Sequence, residues 1–135
     1  MKITICSSMV FAKELLELQQ RLENLWHQII LPPDTESFLR ERSNEWNISS
    51  NISDEMKSHY HAISESDAVL IFNHEKNGIP WYVGWATLME LAVAFYLNKK
   101  IYLAFTPPSQ EQLRYVQEIL LTNPIILDWD FTKLQ

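Results

Sequence analysis

Blocks of apolar and polar residues change period along the chain, and each change marks an element. Lys2 to Cys6 alternates, with Ile3 and Ile5 on one face, and predicts a short β-branched strand. From Val10 to about Leu25, Phe11, Leu15, Leu18, Leu22 and Leu25 recur at helical spacing and leave one wet face. His27 to Leu31 is a second short strand, stopped by Pro32-Pro33. Asp34 to Ser50 is polar and irregular, with Phe38, Leu39 and Trp46 as anchors. A connection this long carries function or a short extra helix. Ile52 to Ser66 reads as a helix opened by Asn51 or Ser53, with Asp54 and Glu55 in its first turn. Ala68 to Asn73 is a continuous apolar run, the pattern of a strand covered on both faces.

Asn77-Gly78 and Pro80 mark His74 to Val83 as a loop, and Gly84 to Leu97 as the helix that follows. Lys100 to Phe105 is a fourth strand. Ser109 and Gln112 have capping-box spacing and predict a helix to about Leu121. Ile125 to Leu127 is a short last strand. Strand and helix alternate throughout, which predicts one α/β domain over residues 1–135. The expected fold is a flavodoxin- or Rossmann-like three-layer sandwich with about five parallel strands in the order 2-1-3-4-5. Its ligand crevice lies beyond the carboxyl ends of strands one and three. Cys6-Ser7-Ser8 and the His74 to Val83 loop lie there, so Ser7-Ser8 and the first turns of the helix after Gly84 are predicted to face one another. This places Ser7, Ser8, Asn73, Tyr82 and Gly84 as candidate substrate-binding positions.

Glu90 breaks the pattern of its helix. It is the only charge between Asn77 and Asn98, between Met89 and Leu91. A bare carboxylate is costly to bury, so it is solvated at an edge, hydrogen-bonded or held for a purpose. One reading is a nucleophile or base for glycosidic chemistry, in which an ionised carboxylate stabilises an anomeric cation or forms a sugar ester. The other is a capping box, because Thr87 and Glu90 have T-x-x-E spacing. Ser8 likewise reads either as part of an anion-binding turn or as a helix cap, and Cys6 as a small core residue. Glu55 and His59 share a helix face, as an acid–base pair or a surface pair. Trp81, Tyr82 and Trp85 suit base stacking, a subunit interface or ordinary packing.

Charge narrows the partners. The 135 residues carry a formal net charge of −6 with no Lys/Arg cluster, which excludes grip on a nucleic-acid polymer and leaves a single nucleotide open. The lone Cys6 allows neither an internal disulfide nor a Cys-based zinc site and suits a reducing, cytoplasmic compartment. His59 and His61 point to different helix faces, so with His74 they form no metal site, and no metal or cofactor is expected. Pro80, Gly84 and Glu90 argue against a membrane span over Ile79 to Leu97.

Three stretches, in order, resemble the nucleoside 2-deoxyribosyltransferase superfamily, including its 2-deoxynucleoside 5-phosphate N-hydrolase branch. Cys6-Ser7-Ser8 resembles that family's C-G-S turn. Ser66-Asp67-Ala68-Val69-Leu70-Ile71 resembles its A-D-x-x-V/L opening of strand three. Met89-Glu90-Leu91-Ala92, then Ala94-Phe95 and Asn98-Lys99-Lys100-Ile101, resembles its catalytic helix and the strand start after it. The resemblance implies an enzyme that transfers or hydrolyses the N-glycosidic bond of a deoxynucleoside or its 5-phosphate. Glu90 would be the catalytic glutamate, Ser8 the serine of the binding turn, and the assembly a homodimer or larger. The departures are Ser7 for the turn glycine, Met9 for the hydrolase branch's arginine, Thr4 for its tyrosine, His59 for its aspartate and Ala92 for the glycine after the glutamate. His59 becomes the candidate proton donor in place of the aspartate. A nucleotide-binding or oligomeric interaction protein without turnover is the alternative.

Overall fold

The computed structural model describes residues 1–33, 35–36 and 52–135. The anchors Phe38, Leu39 and Trp46 and the cap Asn51 lie outside the described residues. Among those described, the elements are β1 (Lys2–Cys6), a 3₁₀ turn (Met9–Phe11), α1 (Ala12–Glu23), β2 (Gln28–Ile30), α2 (Ile52–Ser64), β3 (Ala68–Ile71), β4 (His74–Lys76) and β5 (Ile79–Tyr82). They continue with α3 (Trp85–Tyr96), β6 (Lys100–Leu103), α4 (Val116–Leu121), β7 (Ile125–Ile126) and a closing 3₁₀ turn (Phe131–Lys133).

The main sheet is parallel throughout, in the order β2-β1-β3-β6-β7. Counted along the chain without β4 and β5, that is the expected 2-1-3-4-5. Strand alternation sorts its side chains into two cores. Ile3, Ile5, Leu70 and Tyr102 face α1 and the returning C-terminal residues Phe131 and Leu134. Cys6, Val69, Ile71 and Leu103 face the other way, towards Ile63 of α2, Leu91 and Ala94 of α3 and Ile119 of α4. Both faces are covered, which is why β3 reads as an unbroken apolar run. Asp67 fixes the register where α2 hands over to β3. Its Oδ2 accepts from the Lys2 amide at 2.8 Å, and its own amide donates to the Lys2 carbonyl at 2.9 Å.

Two expectations need correction. Residues His74 to Val83 are not a plain loop but an antiparallel hairpin, with Lys76 opposite Ile79 across Asn77-Gly78. Both turn residues have positive φ, 54° and 76°, as the tight turn matched to strand twist requires. The Asn-Gly pair is the signal that identifies such a hairpin. The last helix is also shorter than predicted. Ser109 starts a turn, with its carbonyl accepting from Gln112 and Leu113, but the α-helix opens only at Val116. Leu113, between that turn and the helix, is buried in the second core.

Candidate active site

Glu90 lies in the second turn of α3, not at its end. Gly84 is the N-cap, and its carbonyl accepts the Leu88 amide at 2.9 Å. Thr87 therefore sits inside the helix, where it cannot open a capping box, and the cap reading of Glu90 falls. The helix dipole acts mainly over the first turn, so it lends the carboxylate little support. Other neighbours define its setting.

Those neighbours come from two elements distant in sequence. His59 projects from the middle of α2, and its Nε2 lies 3.3 Å from Glu90 Oε2. The His59 side chain is 4% exposed and that of Glu90 is 15% exposed. Cys6, the last residue of β1, completes the group. A sulfur, nitrogen and oxygen ligand atom from these three residues all lie within 4.8 Å of one another. Burial pushes the Cys6 thiol well above its usual range, and the negative charge of Glu90 and a hydrogen bond to it push further the same way. The thiol is therefore protonated and is no nucleophile as it stands. Tyr60, beside His59 on α2, is raised by burial first and then by Glu90 and Cys6.

The pairing is incomplete as hydrogen bonding. Both ring nitrogens of His59, and Glu90 Oε2, are buried without a hydrogen-bond partner among the described residues. His59 and Glu90 face each other at ion-pair distance but off the line a hydrogen bond needs. Such groups in a packed interior call for a functional account.

The other predicted positions have different surroundings. Ser7 donates to the Phe72 carbonyl at 3.0 Å and is buried. Ser8 precedes the 3₁₀ turn without a side-chain cap, while its carbonyl accepts from Phe11. Asn73 is fully engaged within the fold. Its Nδ2 donates to the carbonyls of Trp81 and Phe105, and its Oδ1 accepts the Phe105 amide. Tyr82 ends the hairpin, half-buried, with Lys76 Nζ 5.9 Å from its ring centroid. Tyr115 donates to the Val83 carbonyl, and its hydroxyl is raised by burial first and then by Tyr82. A Cβ at Gly84 would meet only the Tyr82 ring, at 3.6 Å. Trp81 stacks on Phe105 at 3.8 Å, whereas Trp85 is 68% exposed. Thr4 is locked in a buried hydroxyl pair with Ser66 at 2.7 Å. His61 pairs with Glu65 on the surface, and His74 packs among Phe11, Phe72 and Trp81.

The end of β1 packs against α3, and the residue there that reaches Glu90 is Cys6. In sequence Cys6 reads only as core filler. The available signal is strand alternation, which turns Cys6 to the face opposite Ile3 and Ile5. Tyr60 carries no comparable signal.

Solved structures with the same fold complete the description. A 2-deoxyribosyltransferase from Bacillus psychrosaccharolyticus aligns at 19% identity with a TM-score of 0.56, over 76% of this chain and 71% of that one. The fold is that of the 2-deoxyribosyltransferases. A 2-deoxyribosyltransferase from Leishmania mexicana aligns at 17% identity and a TM-score of 0.56, covering 82% of this chain and 69% of its own. A CMP N-glycosidase from Clostridium botulinum aligns at 17% identity and a TM-score of 0.52, covering 93% and 85%. No family model matches the sequence, and no characterised protein matches it by sequence search. No helix among the described residues is long and apolar enough to cross a membrane.

Proposed function

We propose that the protein is an enzyme of N-glycosidic bond transfer or hydrolysis, acting on a deoxynucleoside or its 5-phosphate, with Glu90 as nucleophile and His59 as acid–base partner. The carrying observation is the Glu90 carboxylate itself, half-buried and 3.3 Å from a buried imidazole on this fold. In the reaction, a Glu90 oxygen bonds to the anomeric carbon as the bond to the base nitrogen breaks. The base leaves with the electron pair and takes a proton from the His59 imidazolium. Water or a second base then attacks the anomeric carbon, His59 takes up its proton, and the Glu90 carboxylate is released.

The named activities of the fold's solved relatives support this reading, as does the order of the matching stretches around Ser8 and Glu90. A second copy of the chain is the expected partner. Trp85, Met89 and Tyr96 are exposed along α3, the helix that carries Glu90, and offer that copy an apolar face. The cytoplasm suits the unpaired Cys6.

Base release from a panel of nucleosides, deoxynucleosides and monophosphates tests the reading. Glu90→Ala should slow turnover by roughly 10³-fold or more, while Glu90→Gln retains thermal stabilisation by the substrate. Unchanged turnover in His59→Ala would remove that residue from the mechanism. The alternative is a binding module without turnover, in which Glu90 holds the ligand. Ligand stabilisation without base release in the wild type, lost in Glu90→Ala, would select it.

A further inference from the structure

We propose that Cys6, His59 and Glu90 form a binding site for a zinc-class divalent cation, one soft enough to take a thiolate. The single cysteine weighs against a zinc site in the sequence, because zinc motifs are usually recognised by paired cysteines. Folding changes that. It brings one sulfur, one imidazole and one carboxylate together from β1, α2 and α3, with ligand atoms all within 4.8 Å.

The geometry suits an ion better than an ion pair. Two ligands about 2.0–2.1 Å from a tetrahedral centre stand roughly 3.3–3.4 Å apart. His59 Nε2 and Glu90 Oε2 are 3.3 Å apart. The same two atoms make no hydrogen bond to each other or to any described residue, although both are buried. A cation between them would satisfy both lone pairs at once. The Cys6 sulfur lies within 4.8 Å of both atoms and takes the third vertex by closing to roughly 3.5–3.6 Å from them. The fourth vertex remains for water or another ligand, and the part-exposed Glu90 supplies the way in.

Charge also balances. A divalent cation with one thiolate, one carboxylate and one neutral imidazole gives a site of zero net charge, which a packed interior tolerates far better than a bare ion. Binding replaces two protons: the Cys6 S–H bond and the N–H bond of the His59 imidazolium both break, metal–sulfur and metal–nitrogen bonds form, and both protons pass to solvent. Imidazole with thiolate selects zinc-class ions over magnesium or calcium, which prefer oxygen. The ion would occupy the Glu90 oxygen that the proposed glycosidic reaction needs. Resting on that reading, the site makes zinc a reversible inhibitor.

The test uses Co²⁺ as the probe on the full chain, without substrate, so its outcome does not depend on any catalytic activity. Expected are one Co²⁺ per chain, an intense ultraviolet thiolate-to-cobalt band, release of two protons per ion, and displacement by Zn²⁺. The band should vanish in Cys6→Ser, and Zn²⁺ should raise the wild-type melting temperature but not that of the variant. Should Cys6→Ser fail to fold, His59→Gln provides the control, with weakened Co²⁺ binding expected. Saturating Co²⁺ without a thiolate band in the folded wild type, or an unchanged band in Cys6→Ser, overturns the site. So does undiminished binding in His59→Gln.

Discussion

Two side chains show how the site and its frame differ in purpose. Asn73 uses its whole amide group to tie the end of β3 to Phe105 and to the hairpin at Trp81. It also anchors a strained residue, since Trp81 has φ 56°, a costly conformation for a bulky side chain. Asn73→Ala strands buried carbonyls and should cost about 2–3 kcal/mol in denaturant unfolding. Tyr60 instead reports on the site. Its raised pKa means the unfolded chain gives up that proton first, so this contribution to stability is present below about pH 10 and lost as pH rises beyond. Burial is the larger cause and should persist in Glu90→Gln, while the part due to the Glu90 charge should disappear. Absorbance titration of Glu90→Gln, differenced against Tyr60→Phe, should show Tyr60 ionising at lower pH than in the wild type.

At the scale of elements, a chain with only two glycines ends two of its helices on asparagine in the left-handed conformation. Asn98 closes α3 at φ 57°, with Lys99 donating back to Ala94, and Asn123 closes α4 at φ 53°. The two glycines are not equivalent. Gly78 sits at φ 76° in the hairpin turn, so Gly78→Ala should destabilise by about 1 kcal/mol through backbone strain alone. Gly84 has ordinary backbone geometry and open space but for an ordinary contact with Tyr82. Gly84→Ala should therefore leave the melting temperature within a few degrees of wild type. Paired thermal melts of the two variants check both expectations.

Across the whole molecule, the C-terminal turn closes the α1 face of the sheet. Phe131 and Leu134 are buried against it, and Arg21 lies 4.8 Å over the Phe131 ring. Lys100 Nζ and the Tyr102 hydroxyl both donate to the Gln135 carbonyl. Phe131→Ala should cost about 3 kcal/mol or more in denaturant unfolding. Co²⁺ binding at the site on the opposite face should survive it, because β1, α2 and α3 pack through the separate core.

The sequence by itself determined the succession of elements, the strand order and the anomaly of Glu90. These rest on local properties: side-chain periodicity, turn-forming residues, and the cost of a charge in an apolar helix. It also carried the Asn-Gly turn in plain form, though pairing of β4 with β5 needed the folded register to be visible. Tertiary structure decided that Cys6 joins His59, the donor to which the family resemblance pointed, around that charge. His59 and Cys6 meet Glu90 because α2 packs beside α3 and both cover the end of β1, an arrangement no local pattern encodes. It likewise decided that Ser7 and Asn73 serve internal hydrogen bonds. A polar side chain near a crevice can turn either way, and only the positions of unpaired backbone groups select which.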